Sequence, residues 1–160
     1  MLQVSLICVG KLKEKYWEAA VREYLTRLKR YLKINILEID EAVCADEKSP
    51  ACIHQAKKNE GNRILQKIKG LDLLIALDKT GRQFTSEEWA DWLNRQMVAG
   101  KSQVGMMIGG SYGLAQEVLQ RADLIWSFSP LTFAHQMMRA MVLEQLYRAM
   151  KIIKNENYHK

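Results

Sequence analysis

Residues 72–78 read Asp-Leu-Leu-Ile-Ala-Leu-Asp, five apolar residues between two acids. The run is too short for a helix and shows no apolar–polar alternation, which is the pattern of a strand covered on both faces. Such strands belong to parallel sheets whose crossovers are helices, and the flanking sequence supplies them. Upstream, Ile53 to Ile68 reads as a helix with Ile64, Leu65 and Ile68 on one side. Downstream, Lys79-Thr80-Gly81-Arg82 reads as a turn. Thr85 and Glu88 then form a capping box for a helix running to about Val98, with Trp89, Trp92 and Leu93 inward, and Gly100 ends it.

The alternation continues in both directions. Gln103 to Ile108 is a buried strand, followed by Gly109-Gly110-Ser111-Tyr112-Gly113 and a short helix, Leu114 to Arg121. Asp123 to Phe128 is a last strand, and a loop from Ser129 to Phe133 leads into a long helix, Ala134 to Ile153. Towards the N-terminus lie a strand at Leu2–Val9, a helix at Glu14–Tyr31 and a strand at Ile34–Ile39. Glu41 to Ala51, polar and containing Pro50, reads as a mobile loop. The expectation is a single α/β domain over residues 1–160, with a mainly parallel sheet and helices on both faces.

Composition agrees. The chain has 160 residues, 48% hydrophobic and 26% charged, with 2 prolines and 9 glycines, which excludes a disordered tail, a collagen-like fibre and a coiled coil. No apolar run approaches a membrane span. The opening MLQVSLICVGKLKEKYW places apolar residues before lysines, the reverse of a secretory signal, so a cytoplasmic location is expected. Net charge is +6, compatible with a nucleic-acid partner. Five acids and no base fall between Glu38 and Glu47. Cys8, Cys44 and Cys52 have no C-x-x-C spacing, and their odd number argues against a disulfide framework.

In parallel sheets ligands bind beyond the carboxyl ends of the strands. Three loops fall there: Leu77–Gly81, Gly109–Gly113 and Ser129–Phe133. The glycine pair lets backbone approach a ligand, or makes an ordinary tight turn. It matches neither a P-loop nor G-x-G-x-x-G. Ser127 to Phe133 can hold a purine edge under Leu131 and Phe133, or simply cap the helix that follows. No G-x-S-x-G, H-E-x-x-H or metal-ligand spacing occurs, so no metal is expected. Arg139 falls on the apolar face of the last helix with Val142, Leu143, Leu146 and Met150, and a guanidinium there needs a partner. Glu144 and Arg148, four apart, read as a surface pair. His135 begins that helix, and the tail ends Tyr158-His159-Lys160.

VGKLKEKYW, EGNRIL, LIALDKTG, MIGGSYGL, WSFSPLTFAHQMMR, EQLYRA and YHK follow one another from Val9 to Lys160. In this order they resemble the small SPOUT-class methyltransferases that modify a pseudouridine of large-subunit (23S) ribosomal RNA at N3, the ribosomal RNA large subunit methyltransferase H family. The resemblance implies a C-terminal deep trefoil knot and a homodimer with the last helices near the interface. It implies S-adenosylmethionine as methyl donor, held by Leu77, Gly109 and Phe128, Ser129, Pro130, Leu131, Thr132 and Phe133. The same resemblance points to Arg139, Tyr158 and His159 as catalytic residues, the tail serving the other subunit, with His135 in reserve. The implied partner is 23S rRNA within the ribosome. Ala134 stands where the family commonly has proline. Three alternatives stay open: a SPOUT enzyme acting on transfer RNA, an RNA-binding module without catalysis, and a small-molecule-binding α/β protein.

Overall fold

A computed structural model of the protein describes residues 1–158. Ten elements follow in order: β1 (Gln3–Val9), α1 (Lys15–Leu28), β2 (Lys33–Ile39), α2 (Pro50–Lys67), β3 (Leu73–Arg82), α3 (Ser86–Val98), β4 (Gln103–Ile108), α4 (Gln116–Arg121), β5 (Leu124–Trp126) and α5 (His135–Ile153). The five strands form one parallel sheet in the order β2-β1-β4-β3-β5. The last three strands in sequence are therefore neighbours, and the loops that leave them emerge side by side.

Period-two alternation sorts the strand residues between two cores. Leu6, Cys8, Ile75, Leu77, Met106 and Ile108 face a layer containing Leu28, Trp89, Leu93, Val142 and Leu143 of α1, α3 and α5. Ile7, Val9, Leu74, Ala76 and Met107 face Ile64 of α2 and Val118 of α4. Helices thus cover both faces, as the unbroken apolar character of β3 requires. Cys8 packs as a small hydrophobe, and burial pushes its thiol up to about 12.

Several boundaries differ from the sequence reading. Pro50 does not sit in a loop but occupies the first turn of α2, where its missing N–H costs nothing, and the Ser49 side chain caps the helix by accepting from the Cys52 amide. Lys79 to Arg82 is not a turn ending β3. The strand resumes, and Leu77 and Arg82 both register with Trp126 around an excursion at residues 78–81. Gly81 permits this, because a Cβ there would lie 2.5 Å from the Ile125 carbonyl carbon. Cys44 and Cys52 are joined in a disulfide, Cα atoms 5.7 Å apart. The odd count hid a pair only eight residues apart that the start of α2 brings together. The Glu144–Arg148 pair is not on open surface: its side chains are 18% and 25% exposed, since α5 packs between α1 and α3.

Candidate active site

At the carboxyl end of the sheet the three predicted loops meet in one cleft of about 870 Å³. Leu77, Gly109, Phe128, Ser129, Leu131, Thr132 and Phe133 all line it. Pro130 is not among the lining residues. Ile108, Leu114, Trp126 and Met138 complete an apolar end. Leu131, 68% exposed, stands over it with little of its side chain covered.

Each loop is built by local chemistry. In the excursion of β3, Thr80 donates from its amide (2.9 Å) and its hydroxyl to Asp78 Oδ2, which fixes the bend. The glycine loop closes on itself through the Gly113 amide donating to Gly110 O at 3.1 Å, with Gly113 at φ +79°. A Cβ on Gly109 would sit 2.5 Å from Gly113 C and 2.8 Å from Leu114 N, so a side chain there collides with the loop itself. The third loop is braced by Ser127 Oγ donating to Ser129 O (3.0 Å) and by the Leu131 amide donating to Ser129 Oγ (3.1 Å). Neither Thr132 nor Ser129 caps α5, whose first turn follows Ala134 without a side-chain cap.

Beneath the glycine loop lies a carboxylate from the EGNRIL segment. Glu60 is buried; its Oε1 accepts from the Ala42 amide at 3.0 Å, and its Oε2 has no partner. Gly61 beside it lets α2 approach α4, since a Cβ there would lie 2.9 Å from Ala115 Cβ. Burial raises the Glu60 pKa above the ordinary carboxylate range, offset partly by the Ala42 amide. A folded-state pKa raised above the unfolded one favours folding below the unfolded value and loses that contribution as pH rises through the folded value. Glu60→Gln keeps the acceptor for Ala42. It is expected to raise the melting temperature at pH 7 and to leave it unchanged at pH 4, as thermal unfolding at the two pH values will show.

His135 lines the cleft at the start of α5. Burial lowers its pKa, Arg139 and Lys13 lower it further, and Glu41 opposes them. Its Nε2 lies 4.0 Å from Glu41 Oε1, and its Nδ1 is buried without a partner.

Arg139 takes the apolar-face position read from the sequence but does not line the cleft. It is 1% exposed, donating from Nη1 to Glu38 Oε1 at 2.9 Å and from Nη2 to Gly10 O at 2.6 Å. Tyr158 also stands away from the cleft of its own chain. Its ring packs edge-on to Tyr147 at 4.8 Å, Arg148 lies over it, and its hydroxyl is 3.3 Å from Glu144 Oε1. Burial and the Tyr24 hydroxyl push its pKa up to about 12. His159 lies outside the described residues. The sequence reading missed the opposite wall, where His54, Lys57 and Lys58 of α2 line the cleft. No motif marks them, because only the packing of α2 against β1 and α4 brings them there.

Among the described residues no three or more His, Cys, Asp or Glu side chains gather as metal ligands, and no helix is long and apolar enough to cross a membrane.

A parallel sheet whose last three strands deliver a bent strand, a glycine loop and an aromatic loop to one cleft defines a ligand-binding α/β protein. The chain belongs to the predicted SPOUT methyltransferase family, whose model matches residues 2–159. Among solved structures it is similar to a probable methylase family protein from Haemophilus influenzae Rd KW20 (TM-score 0.57, 19% identity, 99% of this chain and 70% of that one). A probable methyltransferase from Bordetella pertussis Tohama I is also similar (TM-score 0.57, 14% identity, 93% and 96%). So is a putative methyltransferase from Legionella pneumophila in complex with the bound cofactor SAM (TM-score 0.50, 11% identity, 95% and 66%). At these identities the likeness is one of fold.

Proposed function

We propose that this protein is an S-adenosylmethionine-dependent methyltransferase that methylates N3 of a pseudouridine in 23S rRNA on the ribosome, working in the cytoplasm as a homodimer with a knotted C-terminal half. The observation that carries the reading is the convergence of the LIALDKTG, MIGGSYGL and WSFSPLTFAHQMMR segments in one cleft of a SPOUT-family chain. The residues present fit the cofactor. Leu77, Ile108, Phe128, Leu131, Phe133 and Met138 offer an apolar slot for an adenine ring, and the glycine loop presents backbone rather than side chains. Gly109, Ser129 and Thr132 would hold its polar edge, with Pro130 stiffening the loop. Bound there, S-adenosylmethionine supplies an electrophilic sulfonium methyl.

The protein has three tasks. It must hold the acceptor in line, exclude water and take the N3 proton. Apolar walls serve the second. For the third, Tyr158 stays protonated at neutral pH and acts as a hydrogen-bond donor, and His159 is the proposed proton acceptor. Arg139 serves as a positioning residue: tied to Gly10 and Glu38, it fixes the helix turn that carries His135 and Met138 into the cleft. The tail is proposed to serve the cleft of a partner subunit, a reading supported by the absence of Tyr158 from the lining of its own chain's cleft.

Gly109→Ala is expected to spread the loop and weaken S-adenosylmethionine binding at least about tenfold, a loss of about 1.4 kcal/mol measurable by calorimetry. The reading itself is tested by mass spectrometry of 23S rRNA digests from cells lacking the gene. The account expects a pseudouridine lighter by one methyl, restored by the wild-type chain and not by Gly109→Ala. An unchanged 23S digest overturns it.

A further inference from the structure

The cleft is also lined by basic side chains that the cofactor reading leaves unused. His54, Lys57 and Lys58 stand at i, i+3 and i+4 on α2, so one helix face presents all three. Lys79 comes from the opposite wall, on the excursion that Gly81 permits. None of these four side chains makes a hydrogen bond or ion pair among the described residues. The acids nearby are Asp78, engaged by Thr80, Glu117 at the start of α4, and the buried Glu60, which Lys57 and Arg63 help to stabilise in its charged form. Three lysines from two elements thus line one cleft without a hydrogen bond or ion pair to a carboxylate, a lining suited to an anion.

We propose that Lys57, Lys58 and Lys79, with His54 beside them, grip successive phosphates of the RNA strand that carries the target nucleotide. The inference rests on the methyl-transfer reading of the same cleft. The cofactor's single carboxylate needs one such partner. Three ammonium groups spread along a helix turn and across to the far wall suit a strand whose phosphates repeat. The base enters between these basic side chains and the apolar end, where the methyl donor lies.

The test compares the wild-type chain with a Lys57→Ala/Lys58→Ala double variant and a Lys57→Arg/Lys58→Arg variant. Binding of a single-stranded RNA oligonucleotide is followed across a salt series, and S-adenosylmethionine binding by calorimetry. The double alanine variant is expected to lower the slope of log K against log salt by about 1.4, at about 0.7 per phosphate contact on a single strand. It should bind the cofactor as wild type does, and the arginine variant should keep the wild-type slope. An unchanged slope overturns the proposal, as does a loss of cofactor affinity with RNA binding intact, which assigns the lysines to the cofactor carboxylate. If the wild type shows the expected slope but never binds S-adenosylmethionine, the methyl-transfer reading fails while the phosphate grip stands.

Discussion

Deleting Tyr158, His159 and Lys160 is expected to cut methyl transfer by at least about 100-fold, the usual worth of a positioned proton-transfer group, while S-adenosylmethionine still binds. The proposed cofactor cleft is built by the bend within β3 and the loops after β4 and β5, and Tyr158 is not among its lining residues. Its contacts are instead Tyr147, Arg148 and Glu144 on α5 and Tyr24 on α1. Removing Tyr158 takes its ring off Tyr147 and Arg148 at the edge of the core and leaves the cleft-lining loops in place. Single-turnover transfer with bound cofactor reads the chemistry, and calorimetry reads the binding. Mixing tail-deleted protomers with Gly109→Ala protomers should recover transfer, because one mixed site combines an intact cleft with the partner's tail. Unchanged transfer by the truncated chain removes the tail from the mechanism.

Arg139→Ala carries the largest expected loss of stability. The guanidinium is buried between Gly10 O and Glu38, and truncation leaves that carbonyl without its donor and opens a void under α5. Breaking a buried pair typically costs 3–5 kcal/mol. Glu38 is 38% exposed and regains water, which moves the expectation to about 3 kcal/mol, or roughly 6–12 °C in melting temperature. Arg139→Lys should recover only part, since one ammonium cannot reproduce two divergent N–H contacts. A melting temperature within about 2 °C of wild type would show that the pair contributes little and that α5 is positioned by its apolar face alone.

The sheet and its layers were legible because burial writes itself into residue pattern. The DLLIALD run, the Thr85–Glu88 box and the apolar side of the last helix each correspond to an observed feature. The loops after β4 and β5 were legible because they lie where parallel strands end, whereas residues 77–81 form a bend inside β3. What sequence withheld depends on partners distant along the chain. Arg139 announced that it needed a partner, yet Glu38 lies 101 residues away and Gly10 further still. The bend at Lys79–Gly81 exists because β5 backbone packs on Gly81, and no local rule distinguishes that glycine from one in a turn. Pro50 reads as part of a loop from sequence, and the Ser49 cap places it in the first turn of α2 instead. The basic wall of α2 carries no motif, because a half-buried Lys57 and an exposed Lys58 read in sequence as ordinary surface lysines do.

The most direct measurement is transfer of labelled methyl from S-adenosylmethionine to three acceptors: ribosomes from cells lacking this protein, free 23S rRNA and bulk tRNA. The account predicts label on ribosomes, mapped to N3 of a pseudouridine in 23S rRNA. Label on tRNA with none on ribosomes would contradict the assigned substrate, and no label on any acceptor would contradict the enzymatic reading altogether.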